Sequence, residues 1–279
     1  MSSFKDLITG PLVLVGAGKM GGAILTGWLA SGLDPANVRI QDPGPPPEIQ
    51  ELLDTHGIQW TPSLTREMLP ASPSVILAAV KPQVMDAVFP PLAKLVGPDT
   101  LTLSIAAGRT IASFEAHLTD RAAVVRTIPN TPAAIGRGIT VCAPNAHVTE
   151  QQRALCNALL ASIGEVGWVE DEALIDVATA VSGSGPAYVF LLAECLAQAG
   201  VEAGLTQELA ARLANATVSG SGELLHRSSL SPATLRKNVT SPNGTTHAAL
   251  QVLMADDGLK SLMTRAVAAA TKRSRELAG

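Results

Sequence analysis

The chain has 279 residues, enough for one large domain or two of ordinary size. Hydrophobic residues make up 47% and charged residues 16%, a core-rich composition that excludes a disordered chain. A net charge of −4 excludes a general polyanion binder and leaves room for a small anion at a local site.

The first element is an apolar run, Leu12-Val13-Leu14-Val15, read as a strand. Gly16-Ala17-Gly18-Lys19-Met20-Gly21 follows, and then Gly22–Leu29 carries apolar residues at helical spacing. Strand, glycine turn and helix together form the context that a G-x-G-x-x-G dinucleotide fingerprint needs. Gly16 permits the tight turn, Gly18 lets a pyrophosphate approach the backbone, and Gly21 lets helix and strand pack closely. Backbone N–H groups and the helix dipole then face the phosphates. A second strand, Val38–Gln41, ends at Asp42. Asp42 is placed to accept from an adenosine ribose, which would favour NAD(H) over NADP(H). It serves equally as a turn residue before Pro43.

Pro43–Pro47 reads as neither helix nor central strand. A helix follows near Ile49–His56, then a short strand at Ile58–Thr61. Ser74–Val80 is nearly all apolar and suits a parallel strand buried on both faces. It leads into Lys81-Pro82, so Lys81 stands either at a ligand-binding strand end or as a solvated lysine at a helix start. Thr100–Ile105 repeats the pattern and ends in Ala106-Ala107-Gly108. Ala122–Ile128 repeats it again and ends in Pro129-Asn130-Thr131-Pro132. Gly138–Ala143, a helix near Thr149–Ser162 and a strand at Glu165–Val169 complete residues 1–170 as a doubly wound, Rossmann-type parallel sheet.

From Asp171 the period becomes helical, so residues 171–279 read as a separate all-α domain. Ala173–Val181 is helical in pattern. Ser182-Gly183-Ser184-Gly185-Pro186 then reads as a helix start, with the serines as caps and Pro186 in the first turn. Ala187–Ala199 is apolar nearly all round, which predicts burial on all sides. Gln207–Leu225 places Leu209, Leu213, Ala216 and Gly220 on one seam that permits close helix approach. Gly258–Leu277 has an apolar face from Leu259 to Ala270. So much apolar helix surface on so small a domain predicts a dimer through this domain. Between these helices, Asn238–Thr246 leads into a helix near Thr246–Met254. Its hydroxyls, its turn at Gly244 and the helix N-terminus suit a carboxylate, though spacing alone slightly favours a capped turn without a ligand.

Cys142, Cys156 and Cys195 form no C-x-x-C pair and read as small buried residues in a reducing compartment. No uninterrupted apolar run reaches membrane-spanning length, and Met1–Gly10 lacks the apolar segment of a signal peptide. The expected location is the cytoplasm, with no nucleic-acid or membrane partner. No metal site is expected, because His56, His117, His147 and His226 have no partners at ligand spacing. His247 reads as structural more than as a general acid, and Glu194 as a group that meets a partner across a dimer interface.

Taken together, Gly16–Gly22, Ala79-Val80-Lys81-Pro82, Ala106-Ala107-Gly108, Asn130-Thr131-Pro132, Ser182–Tyr188 and Val239–Thr246 resemble the pyrroline-5-carboxylate reductase family, in the family's order and over essentially the whole chain. The resemblance implies a Rossmann-type N-terminal domain and a helical dimerisation domain, in dimers that often assemble into decamers. It implies reduction of 1-pyrroline-5-carboxylate to L-proline by NADPH or NADH, the last step of proline biosynthesis. The cofactor would lie along Val15, Gly16, Gly18, Lys19, Met20 and Gly21, then Ala79, Val80, Lys81 and Pro82, then Ala106 and Ala107, with Asn238 reaching it from the helical domain. The substrate would be held by Ser241, Asn243, Gly244, Thr245 and Thr246, with Thr246 near the ring nitrogen as the catalytic hydroxyl.

The chain departs from the family pattern at Asn243, where relatives carry Gly, and at Arg227 and Ser231-Pro232. It also lacks the Ser, Thr or Arg that relatives place near Asp42 for a 2′-phosphate. One rival reading is a β-hydroxyacid dehydrogenase, which needs a lysine on the first helix of the second domain. Residues 171–207 contain no Lys or Arg. A second rival is a nucleotide-sensing protein without turnover.

Overall fold

A computed structural model describes residues 7–278. The reading of Met1–Gly10 as no signal peptide therefore falls largely outside the described residues. One compact unit takes the chain up to Gly183 together with the residues from Thr271 onward, and the other takes Ser184–Ala270.

The first unit is built on an eight-stranded sheet in the order β3-β2-β1-β4-β5-β6-β7-β8. Its strands are β1 Leu12–Val15, β2 Val38–Gln41, β3 Gln59–Thr61, β4 Val75–Ala78, β5 Leu101–Ser104, β6 Ala123–Ile128, β7 Gly138–Pro144 and β8 Gly164–Trp168. Helices α1 Lys19–Ala30, α2 Pro47–His56, α3 Met85–Ala93, α4 Ile111–Glu115 and α5 Glu150–Ala161 connect them. Pro47 opens α2, contrary to the expectation that the proline run lies wholly outside helix. A proline is tolerated there because its missing N–H would be unpaired in the first turn anyway.

Side-chain alternation assigns each central strand to two cores. Leu12, Leu14, Val75, Leu77, Leu101 and Leu103 face the larger core with Ile24, Leu25 and Trp28 of α1 and Leu155, Leu159 and Leu160 of α5. The Trp28 indole N–H donates to Leu159 O at 3.0 Å, tying the two helices together on that face. Val13, Val15 and Ile76 face the opposite side with Leu92 and Leu95. Ala78 and Val124 extend that side with Phe89 and Phe114, whose rings meet edge-on with centroids 4.8 Å apart. Helices on both faces are why these strands read as continuous apolar runs.

The sheet is not wholly parallel, because β7 runs antiparallel to β6. Residues 129–137 hold only a 3₁₀ turn, Thr131–Ile135. That link is too short for a crossover, which needs about a dozen residues or more. Parallel pairing resumes between β7 and β8, where α5 supplies the crossover.

No strand follows β8 among the described residues. Leu174–Ala178 (α6) runs into a π-helical turn, Thr179–Gly183, and then into α7, Gly185–Glu202. The expected serine cap does not form, because Ser184 is already in right-handed helical conformation with no side-chain cap. The Ser182 hydroxyl instead donates to Ala178 O at 2.8 Å. Pro186 does sit in the first turn.

The second unit continues with α8 Gln207–Arg227, α9 Pro232–Asn238 and α10 Thr245–Leu253; α11, Leu259–Ala278, begins in it and ends in the first. Burial here differs from the sequence expectation. α7 contains no buried residue, and Phe190 is 62% exposed. The apolar circumference is real, but one chain cannot cover it. The seam of Leu209, Leu213 and Gly220 also faces outward. Leu209 and Leu213 are exposed, and a Cβ on Gly220 would meet nothing within 4 Å. Ala210 and Ala214 are the buried residues of α8, and a Cβ on Gly200 would come within 3.3 Å of Ala210 Cβ. α7 and α8 therefore pack through that neighbouring stripe. Cys195 is exposed on α7 while Cys142 and Cys156 are buried, so only two of the three cysteines behave as core residues. Burial pushes the Cys156 thiol up, and Cys142 beside it acts in the same direction.

Candidate functional site

Four loops meet at the carboxyl ends of β1, β2, β4 and β5, the edge at which doubly wound sheets bind ligands. In the glycine loop, Gly16 has φ +92° and a Cβ there would come within 2.9 Å of Ala79 O. A Cβ on Gly21 would run into Gly16 O, so strand and helix approach as closely as backbone permits. In front of Gly18 no protein atom lies within 4 Å of where a Cβ would be. α1 carries no side-chain cap. The Gly22 N–H donates to Gly18 O at 2.7 Å, the first bond of the helix. Helix geometry therefore leaves the preceding N–H groups for a ligand.

Asp42 is 9% exposed and holds this loop. Its Oδ2 accepts from the Ala17 N–H at 2.7 Å, and its Oδ1 accepts from the Gly44 N–H at 2.8 Å. It is thus a turn residue, with the added task of fastening the glycine loop. A carboxylate accepts about four hydrogen bonds, so two positions remain for a ribose.

Ala79 and Val80 are half-buried beyond β4, and the Ala79 N–H prolongs the ladder by donating to Val15 O at 2.7 Å. Lys81 is exposed at the start of the 3₁₀ turn Pro82–Val84. Ala106 is buried and Ala107 exposed at the tip of the loop after β5. Arg109 and Asp86 form a two-armed ion pair between that loop and the start of α3. The Arg109 guanidinium holds the Asp86 carboxyl below the usual carboxylate range. Asn130 plays another part: its Oδ1 accepts from the Ile139 N–H at 2.9 Å and fixes the start of β7.

The second group of expected residues lies in the other compact unit. Asn238 is the last residue of α9, a helix the sequence reading passes over. Ser231 caps that helix by accepting from the Thr234 N–H at 3.2 Å. The turn after it closes through the Gly244 N–H, which donates to Ser241 O at 3.1 Å. Asn243 has φ +59°, the one non-glycine residue with positive φ among those described. Asn tolerates that region better than most residues, so this turn forms without a glycine at its left-handed position. α10 starts at Thr245 with no side-chain cap. Its first N–H groups therefore have no side-chain partner, the arrangement in which a helix N-terminus can take an anion. His247 has its Nε2 3.1 Å from Gln251 Nε2, one helical turn away on α10.

Sequence reasoning missed an ion cluster under the β5 loop. Arg126 on β6 is 3% exposed. Its Nη1 donates to Glu172 Oε1 at 3.0 Å, and its Nη2 donates to Asp176 Oδ1 at 3.4 Å. Ser274 Oγ donates to the same Asp176 oxygen at 2.7 Å. The only trace in the sequence is an arginine inside an apolar strand, which demands a buried partner without saying where it lies.

Residues 172–277 match the family model for pyrroline-5-carboxylate reductase dimerisation, and residues 11–108 match that for coenzyme F420-dependent NADP oxidoreductases. The chain is 40% identical over 267 residues to a pyrroline-5-carboxylate reductase of Pseudomonas aeruginosa, covering 96% of each. Its fold is similar to that of a pyrroline-5-carboxylate reductase from Coxiella burnetii, with TM-score 0.89 and 32% identity, covering 97% of this chain and 99% of that one. It is also similar to a Plasmodium falciparum pyrroline carboxylate reductase with NADP bound, with TM-score 0.78 and 28% identity, covering 97% and 99%.

Proposed function

This chain belongs to the pyrroline-5-carboxylate reductase family, and from that premise we propose how its residues serve the reaction. The family reduces 1-pyrroline-5-carboxylate to L-proline with NAD(P)H. When bound, the cofactor supplies the hydride to the imine carbon. The open N–H groups at the start of α1 and the clear space before Gly18 fit a pyrophosphate. Val15, Gly16, Gly18, Lys19, Met20 and Gly21 would hold it. Ala79–Pro82 and Ala106–Ala107 would line the nicotinamide side and Asp42 the adenosine side. That order follows from β2 and β4 flanking β1 on opposite sides.

The uncapped α10 N-terminus behind the left-handed Asn243 turn carries the substrate reading. Ser241, Asn243, Gly244 and Thr245 bind the carboxylate there. Thr246 hydrogen-bonds near the ring nitrogen. A cyclic imine is basic enough to take up its own proton near neutral pH, so Thr246 orients the nitrogen and need not titrate. The family resemblance would assign Asn238 to the cofactor as well.

The functional division falls at 170/171, supported by the dimerisation match that starts at residue 172. The exposed apolar faces of α7 and α8 support a homodimer through residues 171–279, in which each chain covers the other. Leu174–Glu202 is also, by length and composition, a helix that could cross a membrane, with mean hydropathy 1.3 and 6% of that window buried in the single chain. Coverage by a second copy accounts for that surface without a membrane. A decamer rests on the family resemblance, and mass in solution reads it directly. The cytoplasm is the location that suits three free thiols.

The experiment is to follow reduced-nicotinamide absorbance with purified protein and 1-pyrroline-5-carboxylate, running NADPH and NADH side by side. Turnover is the expected result, and the NADH/NADPH ratio reads Asp42. Folded protein that binds nucleotide without turnover would promote the nucleotide-sensing alternative.

A further inference from the structure

The ion cluster under the β5 loop has a geometry that core packing alone does not require. It ties together four separate pieces of chain: β6, residues 172–176, the start of α4 and α11. Glu172 Oε1 receives Arg126 Nη1 at 3.0 Å and also the backbone N–H of Ile111, the first residue of α4, at 2.8 Å. Ile111 follows the Ala106–Thr110 loop directly, so this bond fixes where the loop ends. Asp176 receives Arg126 from the sheet and Ser274 from α11 on one and the same oxygen. Ser274 is the one buried residue of α11 and sits in the part of that helix that belongs to the sheet unit.

A second contact reaches the loop directly. Gly108 has φ +72°, and a Cβ there would come within 2.9 Å of Leu277 O. The loop therefore rests on a backbone carbonyl in the last turn of α11. Two independent contacts from the same helix end, Ser274 through the ion cluster and Leu277 through Gly108, converge on one loop of five residues. That loop carries Ala106 and Ala107 at the ligand edge of the sheet.

We propose that the last turns of α11 position the Ala106–Arg109 loop for the nicotinamide half of the cofactor, with Ser274 and the Leu277 carbonyl as positioning groups. This rests on the placing of Ala106 and Ala107 against the cofactor argued above. Ser274 touches neither cofactor nor substrate and acts through Asp176, Arg126 and Glu172. Removing its hydroxyl leaves Asp176 Oδ1 with the longer Arg126 contact alone and loosens the anchor of Ile111. Only the nicotinamide side of the sheet should feel this, since the glycine loop and Asp42 are held by their own bonds across β1 and β2.

The test uses the full-length chain with Ser274→Ala and Ser274→Thr. Ser274→Ala should raise the KM and Kd for the reduced dinucleotide about fivefold, less than the full worth of a hydrogen bond to a charged group because Ser274 acts on the loop through other residues. Affinity for ADP-ribose, or its 2′-phosphate if NADPH is preferred, should stay within about twofold. Ser274→Thr keeps the hydroxyl and should restore the dinucleotide values. Equal weakening of both ligands, or a lower Tm with unchanged dinucleotide affinity, would overturn the inference in favour of a purely structural cluster. A chain ending at Glu276 leaves the ion cluster whole and removes the carbonyl over Gly108. It should show the same selective loss, and it decides alone if Ser274→Ala does not fold. Ala107→Asp separates the two readings. If it weakens dinucleotide binding while Ser274→Ala does not, the inference fails and the placing of the loop stands. If neither variant does so, the placing of the loop fails first and takes the inference with it.

Discussion

The two compact units solve the burial problem in opposite ways. The sheet unit closes on itself: β1, β4, β5 and β6 are buried along their whole lengths, with helices on both faces. The helical unit does not. α7 has no buried residue, and Leu191, Leu192 and Leu196 stand exposed beside Phe190. A strand buried from both sides by its own chain and a helix left bare by its own chain have similar composition. Hydrophobicity therefore states that a surface must be covered, and not by which molecule. The difference also separates two kinds of site. The loops proposed for the cofactor stand at the edge of the buried sheet, while the turn proposed for the carboxylate stands at a helix start in the unit that one chain leaves bare.

The largest expected effect breaks that comparison directly. Phe190→Glu places a charge on the bare face of α7. It should weaken the proposed dimer by roughly a hundredfold or more, with loss of activity, as read by light scattering and turnover. Leu103→Ala is the contrasting change. It should cost about 2–5 kcal/mol of stability and leave the oligomeric state intact. A dimer unaffected by Phe190→Glu would place the interface elsewhere.

Next in size is Thr246→Ala. Turnover should fall about ten- to a hundredfold while cofactor KM stays unchanged, as the proposed role in positioning substrate and not nucleotide requires. Equal turnover would remove Thr246 from the chemistry.

Asp42→Asn sharpens the sheet side of the comparison. One oxygen can still accept from Ala17, while the negative charge is gone. The kcat/KM ratio should shift about tenfold toward NADPH if the carboxylate faces the ribose, and stay put if it serves only the glycine loop and its own turn.

The smallest effect belongs to the exposed Asp86–Arg109 pair. The folded carboxyl sits below its ordinary range, so its stabilising contribution is complete above the unfolded value and disappears as pH falls through the lowered one. Asp86→Asn should lower Tm slightly at neutral pH, and the difference should close in strong acid. A difference that persists there would assign the effect to something other than this charge.

Much of the sheet unit was legible because its signals are local. Apolar runs, the glycine spacing and the proline stops placed each of the eight strands within a residue or two. The reversal of β7 was not, since it depends on how far residues 129–137 can reach. Asn243 was legible as a residue able to take a left-handed turn, and does so. α9 was overlooked because Pro232–Asn238 is short and polar, with no apolar stripe to mark it. The serines at 182 and 184 suggested caps, yet the chain enters α7 already helical, so no free N–H groups await them.

By itself the sequence determined the eight strands, the long amphipathic and apolar helices and the glycine loop, because each depends on residues close together in the chain. Only the tertiary structure decided which stripe of α8 packs on α7, that Asp42 fastens the glycine loop, and that Arg126, Glu172, Asp176 and Ser274 share one buried cluster. Those partners lie far apart in sequence, and a buried charge or a bare apolar face states a requirement that only the folded chain can assign to a particular neighbour.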